Sequence, residues 1–515
     1  MNRYPLGIQT FEKIREENLF YVDKTDLIYN IAKGSQSNFL NRPRRFGKSL
    51  LVTTMQAYFE GKKDLFKGLA IEKLEKEWVK YPVIHLDLSR GKYYEIQVVH
   101  STLNAVLGFY EAKLGITVAE GTTYGTRLDE IIQTTAAQTG QKVVVLIDEY
   151  DAPMLDSNAK PELQEQIRSI MRDFFSPLKA NEGLLRFVFL TGITKFSQLS
   201  IFSELNNIKN YSLDDEYGAI CGFTQEEILS TFHEGIHEMA KANELTTEQT
   251  VARMKEQYDG YRFTPHCPNI YNPYSVLNAL HDKKFSNYWF ATGTPTFLLE
   301  LLIKNDIEMP QLEGIVATED QFDSPTDNIG NPIPVLYQSG YLTIKDYDEG
   351  IYTLGYPNEE VRMGLNRSML NYIAPQYGLK TTAFAAQFRA AMRKDDIDTA
   401  MKVLQSFLAA FPYDIHHNRE DYFQAILFTI FITLGFTIHA EVKTAMGRID
   451  LLISTKTTIF VMELKIDQSA EKALEQIDAK DYILPYKHDG RRIFKVGINF
   501  STEKRTVDEW KYEEA

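Results

Sequence analysis

Ser37-Asn-Phe-Leu-Asn-Arg42-Pro-Arg-Arg-Phe-Gly47-Lys48-Ser49 decides the fold of this chain. A short strand-forming run, Ser37 to Asn41, enters a loop dense in positive charge, and an apolar helix pattern follows from about Lys48 to Glu60. Gly-Lys-Ser between a strand and a helix is the setting of a phosphate-binding loop. There Lys48 would neutralise the β and γ phosphates of ATP and Ser49 would place its hydroxyl on Mg²⁺. Gly47 and the amides opening the helix would hold phosphate oxygens. Arg42 stands where such loops usually have their first glycine, and its side chain restricts the backbone. Arg44 or Arg45 would add positive charge toward the phosphates.

The complement of that loop lies about a hundred residues on. Val143-Val-Val-Leu-Ile-Asp148-Glu149 is a continuous apolar run, as a strand buried on both faces requires, and it ends in two carboxylates. A parallel sheet puts such strand ends beside the phosphate loop. Asp148 would hold Mg²⁺ through water, and Glu149 would orient or deprotonate the attacking water. Another strand, Phe187 to Leu190, ends in Thr191-Gly-Ile-Thr194, and Thr191 is placed to sense the γ-phosphate. With Val83 to Leu88 as a further strand and Val98 to Lys113 as a helix, strands and helices alternate. That predicts parallel crossovers and a sheet covered on both faces, the α/β class.

Length and composition bound the rest. At roughly 100–200 residues per domain, 515 residues predict about three or four domains. Hydrophobic residues at 44% and charged residues at 24% are globular usage, which excludes disordered, collagen-like and coiled-coil chains. Cys221 and Cys267 are the only cysteines, so neither a disulfide framework nor a paired-cysteine zinc site is expected, and a reducing cytoplasm fits. The N-terminal MNRYPLGIQT lacks the apolar core of a signal peptide. Ala425 to Ile438, the most apolar stretch, falls short of the ~20 residues of a membrane span, so no membrane partner is expected. A net charge of −14 argues against a surface coated with nucleic acid but leaves room for a local basic groove.

From Thr224 the pattern turns helical, opened by a capping box of Thr224 and Glu227, and it continues to about Lys304. Residues 330–366 read as a helix followed by a hairpin, with DYDEG as the turn, as in a winged-helix unit. Helices resume from Ala383 to Phe411. The last hundred residues predict strands at Thr437–Val442, Arg448–Ile453 and Thr458–Lys465, a helix at Ala470–Leu484 and a final strand at Arg492–Ile498.

Those last strands carry a second constellation. Residues two apart on a strand share a face, so Glu463 and Lys465 project together while Leu464 turns into the core. Asp450, on the neighbouring strand, joins them. Two carboxylates and a lysine suit a divalent metal and a held or activated water, the chemistry of phosphodiester hydrolysis. Glu420 on the preceding helix would complete the metal shell, and Gln476 on the following helix faces the same end.

The N-terminal half resembles the bacterial AAA-ATPase-like family. The residues that carry the resemblance are Tyr21-Val-Asp-Lys-Thr25, RPRRFGKS, LIDEYD and TGITKFSQL. The C-terminal part resembles the PD-(D/E)XK nuclease-like domain that commonly follows it, through Glu441, Gly447-Arg-Ile-Asp450, Glu463-Leu-Lys465 and Ala473-Leu-Glu-Gln476-Ile. The architecture is similar to archaeal ATPases that join a P-loop domain, a winged helix and a nuclease fold. An arginine in place of the first glycine is a feature of this family's loop. The resemblance implies a P-loop ATPase core over 1–222, a helical lid over 223–305, a winged-helix-like segment over 306–375 and a restriction-endonuclease-like domain over 376–515. It implies ATP and Mg²⁺, with Mn²⁺ acceptable at the second site, and DNA or RNA as the partner. The alternative is a nucleotide-controlled switch or scaffold whose last domain binds nucleic acid or protein without cutting.

Three other signals weigh less. His233-Glu-Gly-Ile-His237 matches a zinc-protease pattern, yet Ile228, Phe232, Ile236 and Met239 mark that helix's buried stripe and no third ligand follows. His416-His417 reads as a solvated helix start. The aromatic run Tyr258-Asp-Gly-Tyr-Arg262-Phe reads as lid packing, with Arg262 a possible nucleotide sensor.

Overall fold

Five parallel strands form the first sheet: β1 (Ser37–Asn41), β2 (Val83–Asp87), β3 (Val143–Asp148), β4 (Leu185–Gly192) and β5 (Lys209–Asn210), in the order β2-β3-β4-β1-β5. β3 is buried along its whole length, as its unbroken apolar sequence demands. Helices Ile96–Leu114, Tyr124–Thr139 and Pro161–Phe175 bury one face of the sheet through Leu103, Leu107, Ile131, Ile132, Ile167 and Met171. Helix Lys48–Phe59 packs against β2 and β3 and sets Phe59 4.8 Å from Phe187. The fold is therefore α/β, with its loops gathered at the carboxyl ends of the strands.

The coordinates are those of a computed structural model, and they describe residues 3–157, 160–195, 208–290, 296–305, 307, 309–326, 331–373, 378–408, 427, 430, 437–444, 447–455, 457–504 and 506–515. The chain divides into two compact units, residues 1–292 with 314–360 and residues 293–313 with 361–515.

In the first unit the capping box forms as read: Glu227 N–H donates to Thr224 Oγ1 at 3.2 Å, and Thr224 N–H to Glu227 Oε2 at 2.8 Å. Helices Gln225–Thr231, His233–Ala242, Thr247–Tyr258 and Pro273–Asp282 share a core of Phe232, Ile236, Met239, Tyr258 and Val276. The two-residue strands β6 (Phe223–Thr224) and β7 (Ile270–Tyr271) pair at its base. Further on, β8 (Ile315–Ala317) and short helices Glu319–Phe322 and Ile333–Gln338 precede the hairpin of β9 (Thr343–Asp348) and β10 (Ile351–Gly355). β8 adds to the far edge of β10, which makes a three-stranded antiparallel sheet.

The second unit holds helices Gly378–Met392 and Ile397–Leu408 and a sheet ordered β11-β12-β13-β14-β15. These strands are β11 (Thr437–Thr444), β12 (Gly447–Ser454), β13 (Thr458–Ile466), β14 (Arg492–Ser501) and β15 (Thr506–Glu514). β13 and β14 are parallel, and helix Ala470–Ala479 makes the crossover. That helix stops five residues earlier than its sequence suggests. Asp481 takes a left-handed backbone, φ 43°, and the chain turns into a short 3₁₀ segment, Leu484–Tyr486. β15 is missing from the sequence reading because it alternates poorly: its last four residues are exposed, and only the pairing with β14 makes it a strand. Among the described residues no helix is long and apolar enough to cross a membrane.

Candidate functional site

The first site is assembled at the carboxyl ends of β1 and β3. Gly47 caps the helix with φ 94°, and Arg45 before it has φ 69°. The space where a Cβ would stand at Gly47 is open, so the backbone angle alone explains the glycine. The Lys48 ammonium is buried. It donates to the carbonyls of Arg42 at 3.0 Å and Pro43 at 3.1 Å, and pairs with Glu149 Oε1 at 3.3 Å. Glu149 itself sits in the left-handed region, φ 53°, just beyond β3. The two residues come from strands separated by β4, and the sheet brings their ends together.

Asp148 is 3% exposed, and burial, with Glu149 beside it, pushes its carboxyl up to about 6. The Ser49 hydroxyl hydrogen-bonds to it and works in the opposite direction. Its Oδ1 is buried with no hydrogen-bonding partner. A buried carboxylate oxygen left over beside a serine hydroxyl and a lysine is the donor set that a phosphate-bound Mg²⁺ satisfies, so the residues present fit that ion.

A cavity of about 640 Å³ opens on this group, lined by Arg44, Arg45, Gly47, Lys48, Ser49 and Glu149 on the phosphate side. Its far side was not foreseen. Leu6, Ile8 and Val22 from the N-terminal segment, and Phe223, Tyr274 and Leu277 from the helical lid, supply apolar walls. The Arg45 guanidinium lies 4.9 Å over the Tyr274 ring. Tyr21-Val-Asp-Lys-Thr25 was the only sequence signal for the N-terminal wall.

Two readings are corrected by the geometry, and the restriction expected at Arg42 proves harmless. Thr191 does not line the cavity; its hydroxyl donates to Leu40 O at 2.8 Å within the sheet. Its neighbour Thr194 instead bonds Asp151 Oδ2, through its amide at 2.7 Å and its hydroxyl at 2.9 Å. Arg262 is not a cavity residue either: its amide donates to Thr343 Oγ1 at 2.7 Å and its guanidinium to Lys345 O at 3.4 Å. Arg42 does not strain the loop. It continues β1, with its amide on Gly192 O at 3.1 Å, and is absent from the left-handed residues.

The second site lies on β12 and β13. Their antiparallel register sets Leu451 opposite Met462, which by continuation sets Asp450 opposite Glu463 on one face. Asp450 Oδ2 accepts the Leu464 amide at 2.8 Å. The Lys465 ammonium lies 3.2 Å from Glu463 Oε1 and donates to Leu464 O at 2.8 Å. Leu464 is fully buried, as the strand period requires. Glu463 is only 1% exposed, so its charge is held in a low-dielectric place where a cation is worth most. Two opposed carboxylates and a lysine fit a divalent metal. Gln476 is half-buried on the crossover helix. Glu420, with His416 and His417, lies outside the described residues.

His233 and His237 stand exposed on the lid helix, while Ile228, Phe232, Ile236 and Met239 form its core. Among the described residues, no group of three or more His, Cys, Asp or Glu side chains is close enough to hold a metal.

Residues 5–202 match a family model described as "Predicted AAA-ATPase", and residues 418–510 match one for the PD-(D/E)XK nuclease superfamily. A protein of Azotobacter chroococcum mcd 1, described as "Uncharacterized protein in vnfD 5'region", is 32% identical over 517 residues, which spans 98% of each chain. Among solved structures, the ORC1 protein of Aeropyrum pernix in complex with DNA is 11% identical over 68% of this chain and 93% of that one, with a TM-score of 0.23. The ORC2 protein of the same organism is 10% identical over 67% and 91%, with a TM-score of 0.24.

Proposed function

The chain belongs to the AAA-ATPase-like family with a C-terminal PD-(D/E)XK nuclease superfamily domain, and from that premise we propose that it hydrolyses ATP at the Lys48 site and a nucleic-acid phosphodiester at the Glu463 site. The observation that carries the second half is the shared face of Asp450, Glu463 and Lys465.

In the first unit an arriving triphosphate takes the place of Glu149 as the partner of Lys48. Glu149 is then released to orient a water against the γ-phosphorus and accept its proton. Ser49 and Asp148 are the residues that would hold Mg²⁺, which when bound neutralises charge on the phosphate oxygens. The apolar walls contributed by Leu6, Ile8 and Leu277 suit a purine base.

In the second unit Asp450 and Glu463 would hold Mg²⁺ or Mn²⁺, which when bound polarises a phosphate oxygen and acidifies water. Lys465 holds the attacking water or offsets the charge growing on the phosphate. DNA or RNA is the substrate class that gives two such sites a common purpose, with ATP occupancy controlling the nuclease.

The test is an ATPase and nuclease assay on plasmid, linear DNA and RNA, with Mg²⁺ or Mn²⁺, in wild type, Lys48→Ala and Glu463→Ala. Cleavage that Glu463→Ala abolishes while ATP hydrolysis persists, and that Lys48→Ala changes through its loss of ATP, supports the reading. ATP hydrolysis with no cleavage of any substrate would replace it by a nucleotide-controlled scaffold.

A further inference from the structure

Arg42, the residue that stands in for the loop's first glycine, turns its side chain away from the nucleotide cavity. It is 1% exposed. Nη1 donates to Asn41 O at 2.9 Å and Ser212 O at 3.0 Å, and Nη2 donates to Tyr217 O at 3.0 Å. The guanidinium lies 4.4 Å over the Phe263 ring. One donor, Nε, is left buried without a protein partner.

Among the other buried atoms in that condition are Asn41 Oδ1 and Asp323 Oδ1. Their residues are 6% and 8% exposed. All three residues line one small cavity of about 10 Å³, together with Ser212, Tyr337 and Gln338. A single water needs on the order of 10–15 Å³ and two to four polar partners. The set is one donor and two acceptors. A water accepts once and donates twice, so it satisfies all three atoms. A chloride would face two oxygens, and a sodium ion would face an N–H.

We propose that this cavity holds one internal water, which accepts from Arg42 Nε and donates to Asn41 Oδ1 and Asp323 Oδ1, and that Arg42 is thereby a positioning residue for Lys48. The carbonyls that hold the Lys48 ammonium belong to Arg42 and Pro43. An arginine held by three side-chain hydrogen bonds and a ring contact fixes those carbonyls, which a glycine would leave mobile. The far end of the link is equally anchored. Asp323 pairs with Lys195, and Lys195 N–H donates to Gln338 Oε1 at 2.8 Å. The water therefore joins the root of the phosphate loop to the chain leaving β4. Burial pushes the Asp323 carboxyl up, and Lys195 and Arg42 pull it back, so the arginine and the carboxylate already feel each other across the cavity.

The positioning role rests on the nucleotide reading, whereas the water does not, and the experiment separates them. A high-resolution crystal structure should show one solvent peak within hydrogen-bond distance of the three atoms, with no anomalous signal after a bromide soak. A direct Arg42–Asp323 ion pair, or bromide in the cavity, would overturn the water. By calorimetry, Arg42→Gly, which restores the usual glycine, should weaken ATP binding about tenfold, with Arg42→Lys intermediate. Unchanged affinity in a folded Arg42→Gly protein would overturn the positioning role. No ATP binding by wild type would remove the nucleotide reading and the positioning role with it, and the solvent peak would still decide the cavity.

Discussion

Both sites pair a lysine with a glutamate at almost the same distance, Lys48 with Glu149 at 3.3 Å and Lys465 with Glu463 at 3.2 Å. Their burial is opposite. At the first site the lysine side chain is 3% exposed and the glutamate 20%; at the second the glutamate is 1% exposed and the lysine 13%. The first pair is drawn from distant parts of the sequence, and its more exposed member faces a cavity. On the proposed reading an anion that competes for the lysine takes it apart. The second pair comes from one strand, two residues apart, so the backbone of β13 keeps the two side chains neighbours. It is built to stay, with Asp450 across the register to add negative charge for a cation. One site exchanges a partner; the other presents a fixed face.

The largest effect should follow from breaking the fixed face. Glu463→Ala should lower metal-dependent cleavage by roughly 1000-fold or more while ATP turnover stays near wild type. Parallel loss of both activities would mean that the sites are not independent. Next comes Glu149→Gln, which should keep ATP binding and lower turnover about 100-fold. A variant that loses ATP affinity instead would show that Glu149 holds the loop rather than the water. Lys48→Ala should weaken ATP binding roughly 30-fold, about 2 kcal/mol, as measured by calorimetry. Unchanged affinity there would end the comparison, because the exchangeable pair would have no ligand to exchange for.

The same contrast explains what could be read from sequence. Asp450, Glu463 and Lys465 were legible because a strand's period of two and one hairpin register determine who shares a face. Lys48, Ser49, Asp148 and Glu149 were legible because an apolar strand has only one place for its charges, at the end. Thr191 and Thr194 were not separable, since a three-residue offset at a strand end decides which hydroxyl turns into the sheet and which toward Asp151. Arg262 was misread, and the role of the Arg42 side chain went unread, for a related cause: their partners, Thr343 and Lys345 for one, Ser212, Tyr217 and Phe263 for the other, lie far along the chain. Of the N-terminal wall of the cavity only Tyr21-Val-Asp-Lys-Thr25 stood out in the sequence; Leu6 and Ile8 carry no local pattern, and only tertiary packing reveals them.

The smallest expected effect concerns stability near the exchangeable site. Glu360 is buried, and its carboxylate accepts from Ser275 Oγ at 2.6 Å and from Trp289 N–H at 2.7 Å. The Trp289 indole N–H in turn donates to Arg44 O at 3.0 Å, so this carboxylate braces the outer side of the phosphate loop. Burial raises its pKa to about 7, against the opposing pull of the Ser275 hydroxyl and the amides of Trp289, Tyr288 and Phe290. Tyr258, Tyr261 and Tyr288 are the ionisable groups that feel its charge. In the unfolded chain a glutamate titrates near ~4.3, so between about pH 4.3 and 7 the folded protein keeps a proton that the unfolded chain has lost. Stability from this group is thus greatest at the acid side of that window and falls as pH rises through it, then stays level. Glu360→Gln keeps an acceptor for Trp289 and a donor for Ser275 but cannot titrate. Relative to wild type it should gain about 1–2 kcal/mol between pH 6 and pH 8 in urea unfolding. Parallel stability profiles for the two proteins would show that Glu360 stays ionised throughout, held by its amides. The face formed by Asp450, Glu463 and Lys465, in the other unit, should cut equally well in both.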